Sequence, residues 1–175
     1  MLTLYRFLIN LFYPLIVVII FLRKLIGKED PIRYKEKIFV SHFKVNRKNK
    51  TKLIWFHAAS VGEVKSILPI VKELTKNNNL EILITTVTLS SSKIIKDKIH
   101  NHKNIHHRFF PIDATFIIEN FLSLWRPNAV FLVDSEIWPN LISLVKKKKI
   151  SLAIINARIT RKTFDRWNLV PNFAK

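Results

Sequence analysis

The 175 residues leave room for one ordinary domain with an appendage but not two full domains, and an apolar content of 49% excludes wholesale disorder. The formal charge of +18 calls for an anionic counterpart, of which nucleic acid, an anionic membrane face and a phosphorylated substrate all fit. Cysteine is absent, which excludes disulfides, thiolate catalysis and cysteine-based zinc sites.

Residues 7–22 read FLINLFYPLIVVIIFL, an uncharged run in which only Asn10 and Pro14 depart from an apolar helix. It falls a little short of the roughly 18–20 residues that span a bilayer. Arg6 precedes it and can snorkel to the headgroups. Arg23, Lys24 and Lys28 follow it, and the positive-inside rule then places the rest of the chain in the cytoplasm. No small-residue cleavage site follows, so residues 1–22 are expected to be a retained membrane anchor, spanning or lying in the interface, with a buried core helix as the alternative. Residues 23–52 are expected to form a basic, partly helical connector near the headgroups, in which Glu36 carries little.

From Leu53 short apolar runs alternate with amphipathic stretches. The pattern predicts strands over 53–57, 81–87, 106–112, 129–134 and 151–157, with helices over 64–76, 90–99, 114–125 and 140–149. The serines at 90–92 suit an N-cap, and the lysines at 146–149 suit a helix C-terminus. Strands and helices alternating in this way predict an α/β fold, a parallel sheet covered by helices on both faces. Ligands of such sheets bind at the carboxyl ends of the strands, so the segments after each strand should hold the chemistry. Those segments are AASVGE, TLSSSK, Asp113, SEIWPN and NARIT.

Three of them stand out. In H57-A-A-S-V-G-E63, Gly62 is one of only two glycines and is expected to serve a special backbone conformation or a close approach. Glu63 would lie beside freshly exposed helix N–H groups, as a base or as a helix-start acid. Ser60 with His57 and Glu63 suggests a hydrolase, but no G-x-S-x-G elbow is present. In V133-D-S-E-I-W-P-N140, Glu136 precedes Trp138, a candidate acceptor surface. Glu63 and Glu136 at one sheet edge can divide basic and electrostatic roles. In N156-A-R158, Arg158 can bind a phosphate or carboxylate bidentately. The histidines at 100, 102, 106 and 107 lack carboxylates at ligand spacing, so no metal is expected. Phosphate-cradling glycine motifs are missing, no cofactor is expected, and no nucleic-acid motif is present.

An apolar amino terminus, then W-F-H-A-A-S-V-G-E, S-E-I-W-P-N and N-A-R-I-T, resembles the Kdo (3-deoxy-D-manno-octulosonic acid) transferases in order and spacing from Tyr5 to Lys175. The resemblance implies the Rossmann-like amino-terminal half of a GT-B glycosyltransferase, occupying residues 53–175. Such an enzyme transfers Kdo from CMP-Kdo to the lipid A precursor of lipopolysaccharide, with inversion and without a metal. It further implies that Glu63 is the general base and that Glu136 stabilises the transition state. Ser60, Gly62, Trp138 and Arg158 are then the acceptor-binding candidates. The expected setting is the cytoplasmic face of the inner membrane, against anionic lipids. A carboxy-terminal donor-binding domain is expected to be absent here, so the chain should be inactive alone, and a separate chain can carry that half. The alternative is a membrane-tethered, non-catalytic binding domain derived from such an enzyme.

Overall fold

The computed structural model describes residues 2–43, 47, 51–99, 102–134 and 136–157. Helices α1 (Leu2–Leu11) and α2 (Tyr13–Leu25) lead into two short 3-10 turns, Arg33–Lys37 and Val40–His42. Five strands then alternate with four helices: β1 (Lys52–His57), α3 (Val61–Leu74), β2 (Leu80–Thr86), α4 (Leu89–Ile99), β3 (Ile105–Phe109), α5 (Thr115–Trp125), β4 (Ala129–Val133), α6 (Pro139–Lys147) and β5 (Ser151–Ile155). All strand pairs are parallel, in the order β3-β2-β1-β4-β5.

Alternation along β1 divides the core. Leu53 and Trp55 face α5 and α6, joining Phe121, Trp125 and Leu141, whereas Ile54 and Phe56 face α3 and α4, joining Val64, Ile67 and Ile95. Trp55, Trp125 and Phe121 are fully buried and mutually packed, with ring centroids 5.0 Å apart for Trp55–Phe121 and 6.0 Å for Phe121–Trp125. Truncating any one of them to alanine would cost roughly 3–5 kcal/mol.

Several boundaries move, each for a local reason. Helix α3 starts at Val61 because Ser60 Oγ accepts the Glu63 N–H, capping the helix three residues before the first strongly apolar position. Helix α4 is capped by Thr88 rather than by the serine run: its Oγ1 accepts the Ser91 N–H while Ser91 Oγ accepts the Thr88 N–H. Strand β3 ends at Phe109, and Pro111 follows it outside the ladder.

The single anchor helix expected over residues 7–22 is instead a bent pair. Helix α1 ends at Leu11 and α2 restarts with Pro14 in its first turn, where a missing N–H is tolerated. Among the described residues no single helix is long and apolar enough to cross a membrane; α1 and α2 pass that test only together, across a 56° bend. One side of the pair is tied to the sheet domain. Tyr5 donates to Asp113, Arg6 donates to Asn140 and Ser143, and Ile16, Val17 and Ile20 pack on Tyr34 and Ile38. The other side leaves Leu4, Phe7, Leu11, Leu15 and Leu22 more than half exposed.

The connector expected near the headgroups is likewise built into the domain over residues 33–43. Tyr34, Glu36, Lys37, Ile38 and Phe43 are buried. Glu36, far from idle, takes the Phe109 N–H at the end of β3 and both nitrogens of the Arg33 fork.

Candidate active site

The chain leaves β1 for β2 on one side and leaves β4 for β5 on the other, yet β1 and β4 are neighbours. The loops after these two strands diverge, and this is the switch point where open parallel sheets bind ligands. Of the two glutamates singled out from sequence, Glu63 stands in the first helical turn just past the β1 loop and Glu136 on the loop after β4.

Glu63 lies in the first turn of α3 and is partly exposed. Its Oε2 accepts the Ala59 N–H at 2.8 Å, while its own N–H goes to Ser60 Oγ at 3.3 Å. The loop beneath is pinned to β2 and α4: the Ala58 N–H donates to the Thr85 carbonyl, and the Ala59 carbonyl accepts from Val87 N and Ser91 Oγ. Glu63 is therefore both a helix-start acid and a carboxylate with a second oxygen, Oε1, that receives no hydrogen bond from the described residues. Ser60 acts as the helix cap.

Gly62 serves no special backbone conformation and no close approach by another described residue. It has ordinary helical φ, and an added Cβ would find only Ser60 Oγ at 4.0 Å. The fold itself does not demand glycine there, and the glycine leaves the face of the first turn open.

Glu136 follows β4 and is held through one oxygen. Oε2 accepts the Trp138 indole N–H at 2.9 Å and meets His57 Nε2 at 3.3 Å. The His57 contact, then the Trp138 hydrogen bond, outweigh burial and hold the Glu136 carboxyl below the usual carboxylate range. Trp138 caps α6 just before Pro139, half-buried against Phe110 at a 5.2 Å centroid distance. Arg158 lies outside the described residues.

Sequence reasoning missed three features around these carboxylates. His57 is wholly buried and stacks on Phe110 at 3.9 Å between centroids. Asp113, placed among the chemistry-bearing segments, instead caps α6 from a distance: its carboxylate accepts the Asn140 and Leu141 N–H groups and the Tyr5 hydroxyl. Its carboxyl is pushed up, chiefly by burial. Glu29 is buried between Lys37, 2.5 Å away, and Arg23, 2.8 Å away, and the Lys37 ammonium also donates to the Val87 carbonyl. Burial lowers the Lys37 pKa. These groups border a cavity of about 460 Å³ between α1, α2 and the sheet edge, whose walls include Ile9, Ile16, Ile20, Phe110, Trp138 and Lys37.

The histidines are used elsewhere. His106 pairs with Glu81, and His107 bonds Thr86 and Arg33. His100 lies outside the described residues. The described residues contain no group of three side chains arranged to hold a metal ion.

Comparison with known proteins gives the same reading from another direction. A family model described as 3-Deoxy-D-manno-octulosonic-acid transferase (kdotransferase) matches residues 33–175. The 3-deoxy-D-manno-octulosonic acid transferase of Rickettsia bellii is 39% identical over 168 residues, covering 95% of this chain and 39% of the relative. The probable mitochondrial 3-deoxy-D-manno-octulosonic acid transferase of Arabidopsis thaliana is 37% identical over 166 residues, covering 94% and 36%. The Haemophilus influenzae transferase of the same name is 32% identical over 118 residues, covering 67% and 27%. The chain thus spans about two fifths of the length of the first two relatives.

Proposed function

The chain belongs to the 3-deoxy-D-manno-octulosonic acid transferase family, and we propose that it forms the acceptor-side half of a GT-B glycosyltransferase acting on lipid A precursor. The reaction is Kdo transfer from CMP-Kdo, inverting and metal-independent. Glu63 takes the proton of the acceptor hydroxyl as that oxygen bonds the anomeric carbon of Kdo. The bond from that carbon to the CMP phosphate oxygen breaks on the opposite face, and CMP leaves with the electron pair. Glu136 opposes the positive charge that develops on the sugar between these events.

The observation that carries the reading is the placement of Glu63, at the start of α3, and Glu136 just beyond the carboxyl ends of adjacent strands β1 and β4, each with one oxygen held and one unclaimed by the described residues. Ser60, Gly62 and Trp138 border the same loops, and Arg158 is retained as an acceptor-phosphate candidate. The cavity beside Trp138 is apolar on one wall, and its charged lining groups Lys37 and Arg23 are paired with Glu29, so it supports the acyl part of an amphiphilic acceptor.

The bent α1–α2 pair is read as an interfacial anchor on the cytoplasmic face of the inner membrane. Its inner side is already bonded to the domain, so the exposed apolar side is the one offered to lipid. Because the relatives are more than twice as long, CMP-Kdo is assigned to a donor half outside these residues, whether continuous or in a partner chain.

The test is Kdo transfer to a bisphosphorylated, acylated acceptor. The 175-residue chain should bind that acceptor without turnover and should transfer Kdo once joined to a donor half. Turnover by the purified chain alone, or no transfer by the joined enzyme, contradicts the proposal.

A further inference from the structure

Among the buried polar groups beside the crevice, His57 has the most determined surroundings. It ends β1 with no exposed surface, and its two ring nitrogens have different neighbours. Nδ1 lies 3.0 Å from Thr85 Oγ1 and 3.3 Å from the Thr85 carbonyl, while Nε2 lies 3.3 Å from Glu136 Oε2.

The tautomer follows from the groups around it. The Trp55 indole N–H, which can only donate, points at Thr85 Oγ1 from 2.9 Å. Thr85 thus has its own O–H to give to His57 Nδ1, while its carbonyl would accept from an Nδ1–H, so the choice between tautomers rests on the other nitrogen. An Nε2–H faces the Glu136 carboxylate as a donor. The opposite tautomer would set a nitrogen lone pair against that carboxylate oxygen in a part-buried site, which is repulsive. In the doubly protonated ring Nε2 again carries a proton toward Glu136, so both acceptable states present the same donor.

The ring is also clamped as a plane. Phe110 stacks on it at 22°, and Trp138, 6.4 Å away, packs on Phe110 as well. Trp138 donates to the same Glu136 oxygen as His57 does. Two ring N–H groups thus converge on Oε2, and no described residue bonds Oε1. The other charged groups at the start of α6, Asp113 and Arg6, are engaged with Asn140, Leu141 and Ser143.

We propose that His57 is a positioning residue for the transfer reaction, its Nε2–H orienting the Glu136 carboxylate so that Oε1 is the oxygen presented to the reacting sugar. This rests on the function proposed above, but its first test does not need activity. The depressed Glu136 pKa agrees with it.

Long-range proton–nitrogen spectra of the ¹⁵N-histidine chain in detergent should show His57 as the Nε2–H tautomer or as imidazolium at neutral pH. An Nδ1–H tautomer overturns the proposal whatever the enzyme does. The chain has seven glutamates, so ¹³C-carboxyl labelling with assignment through Glu136→Gln follows Glu136 directly. In His57→Phe, which keeps the stack and loses the donor, Glu136 should titrate at higher pH. In His57→Gln, whose side-chain amide can replace the Nε2–H, it should return toward wild type. In the joined enzyme His57→Phe should lower kcat by about ten- to hundredfold, with acceptor KM little changed and the acid limb of the profile moved up. His57→Gln should recover most of that loss. An unmoved Glu136 titration in folded His57→Phe also overturns the proposal. A wild-type joined enzyme without transfer would instead remove the functional reading and leave the nitrogen spectra to decide the role of His57.

Discussion

Single side chains decide how the amino-terminal segment and the sheet hold each other, and His107, on β3, is the clearest case. Its Nε2 bonds Thr86 Oγ1 at 2.9 Å, and the Arg33 guanidinium stands at 3.1 Å from Nδ1. Burial, then Arg33, Arg108 and Lys96, push the His107 pKa down to about 3. The unfolded chain takes up this proton near the ordinary histidine value of 6.5, whereas the folded chain does so only near 3. Between those limits the unfolded state binds more protons, so stability rises with pH. The contribution is complete above 6.5 and is lost as pH falls toward 3. Several pKa units correspond to an effect on the order of several kcal/mol. Urea midpoints in detergent should therefore fall between pH 7 and pH 4, and His107→Gln, which does not titrate, should flatten that fall. An identical slope in wild type and variant would show that other groups carry the acid sensitivity. None of this was legible in the sequence, where Arg33, Glu36 and Lys37 read as solvated connector charge. Their partners are 74 residues away for Arg33 with His107 and 73 for Glu36 with Phe109, distances that periodicity cannot see.

Elements were more legible than pairings. The five strands and four following helices announced themselves because apolar runs bounded by polar turns are local signals, and the shifted starts of α3 and α4 trace to the caps Ser60 and Thr88. Strand order is not local, so the adjacency of β1 and β4 that brings the two glutamate loops together came from the structure. The special backbone conformation expected at Gly62 is not found, because rarity in a sequence is not strain in a backbone. The amino-terminal run was legible as apolar but not as bent. That bend changes how its membrane role is tested. Deleting residues 1–22 also removes Ile9, Tyr13, Ile16 and Ile20 from the domain, so release from lipid would be mixed with lost stability. Replacing Phe7, Leu11, Leu15 and Leu22 with serine alters only exposed positions. That variant should no longer sediment with phosphatidylglycerol vesicles at high salt and should keep its melting temperature, while the deletion should melt lower. Undiminished sedimentation of the fourfold variant would show that these residues do not contact lipid.

At the scale of the whole molecule, the charge of +18, the exposed apolar side of α1–α2 and the crevice between β1 and β4 belong to one arrangement. In the proposed reading a lipid surface holds the domain, the cavity beside Trp138 receives part of the acceptor, and the two carboxylates meet its hydroxyl. A donor held opposite would complete the cleft, turning an encounter of three molecules into a positioned reaction. The account stands or falls on Glu63. Glu63→Gln keeps the helix start and the acceptor to Ala59 N–H through its amide oxygen, but removes the basicity. Glu36→Gln is unsuited as its control because Glu36 is buried and bonded to β3; Glu73, exposed and paired with Lys76 among the described residues, is the suitable one. Steady-state Kdo transfer by the joined enzyme, with acceptor binding measured in parallel, is the deciding measurement. Glu63→Gln should lower kcat by about 10²–10⁴-fold with acceptor affinity nearly unchanged, and Glu73→Gln should leave both as they were. Near-normal turnover in folded Glu63→Gln would contradict the account.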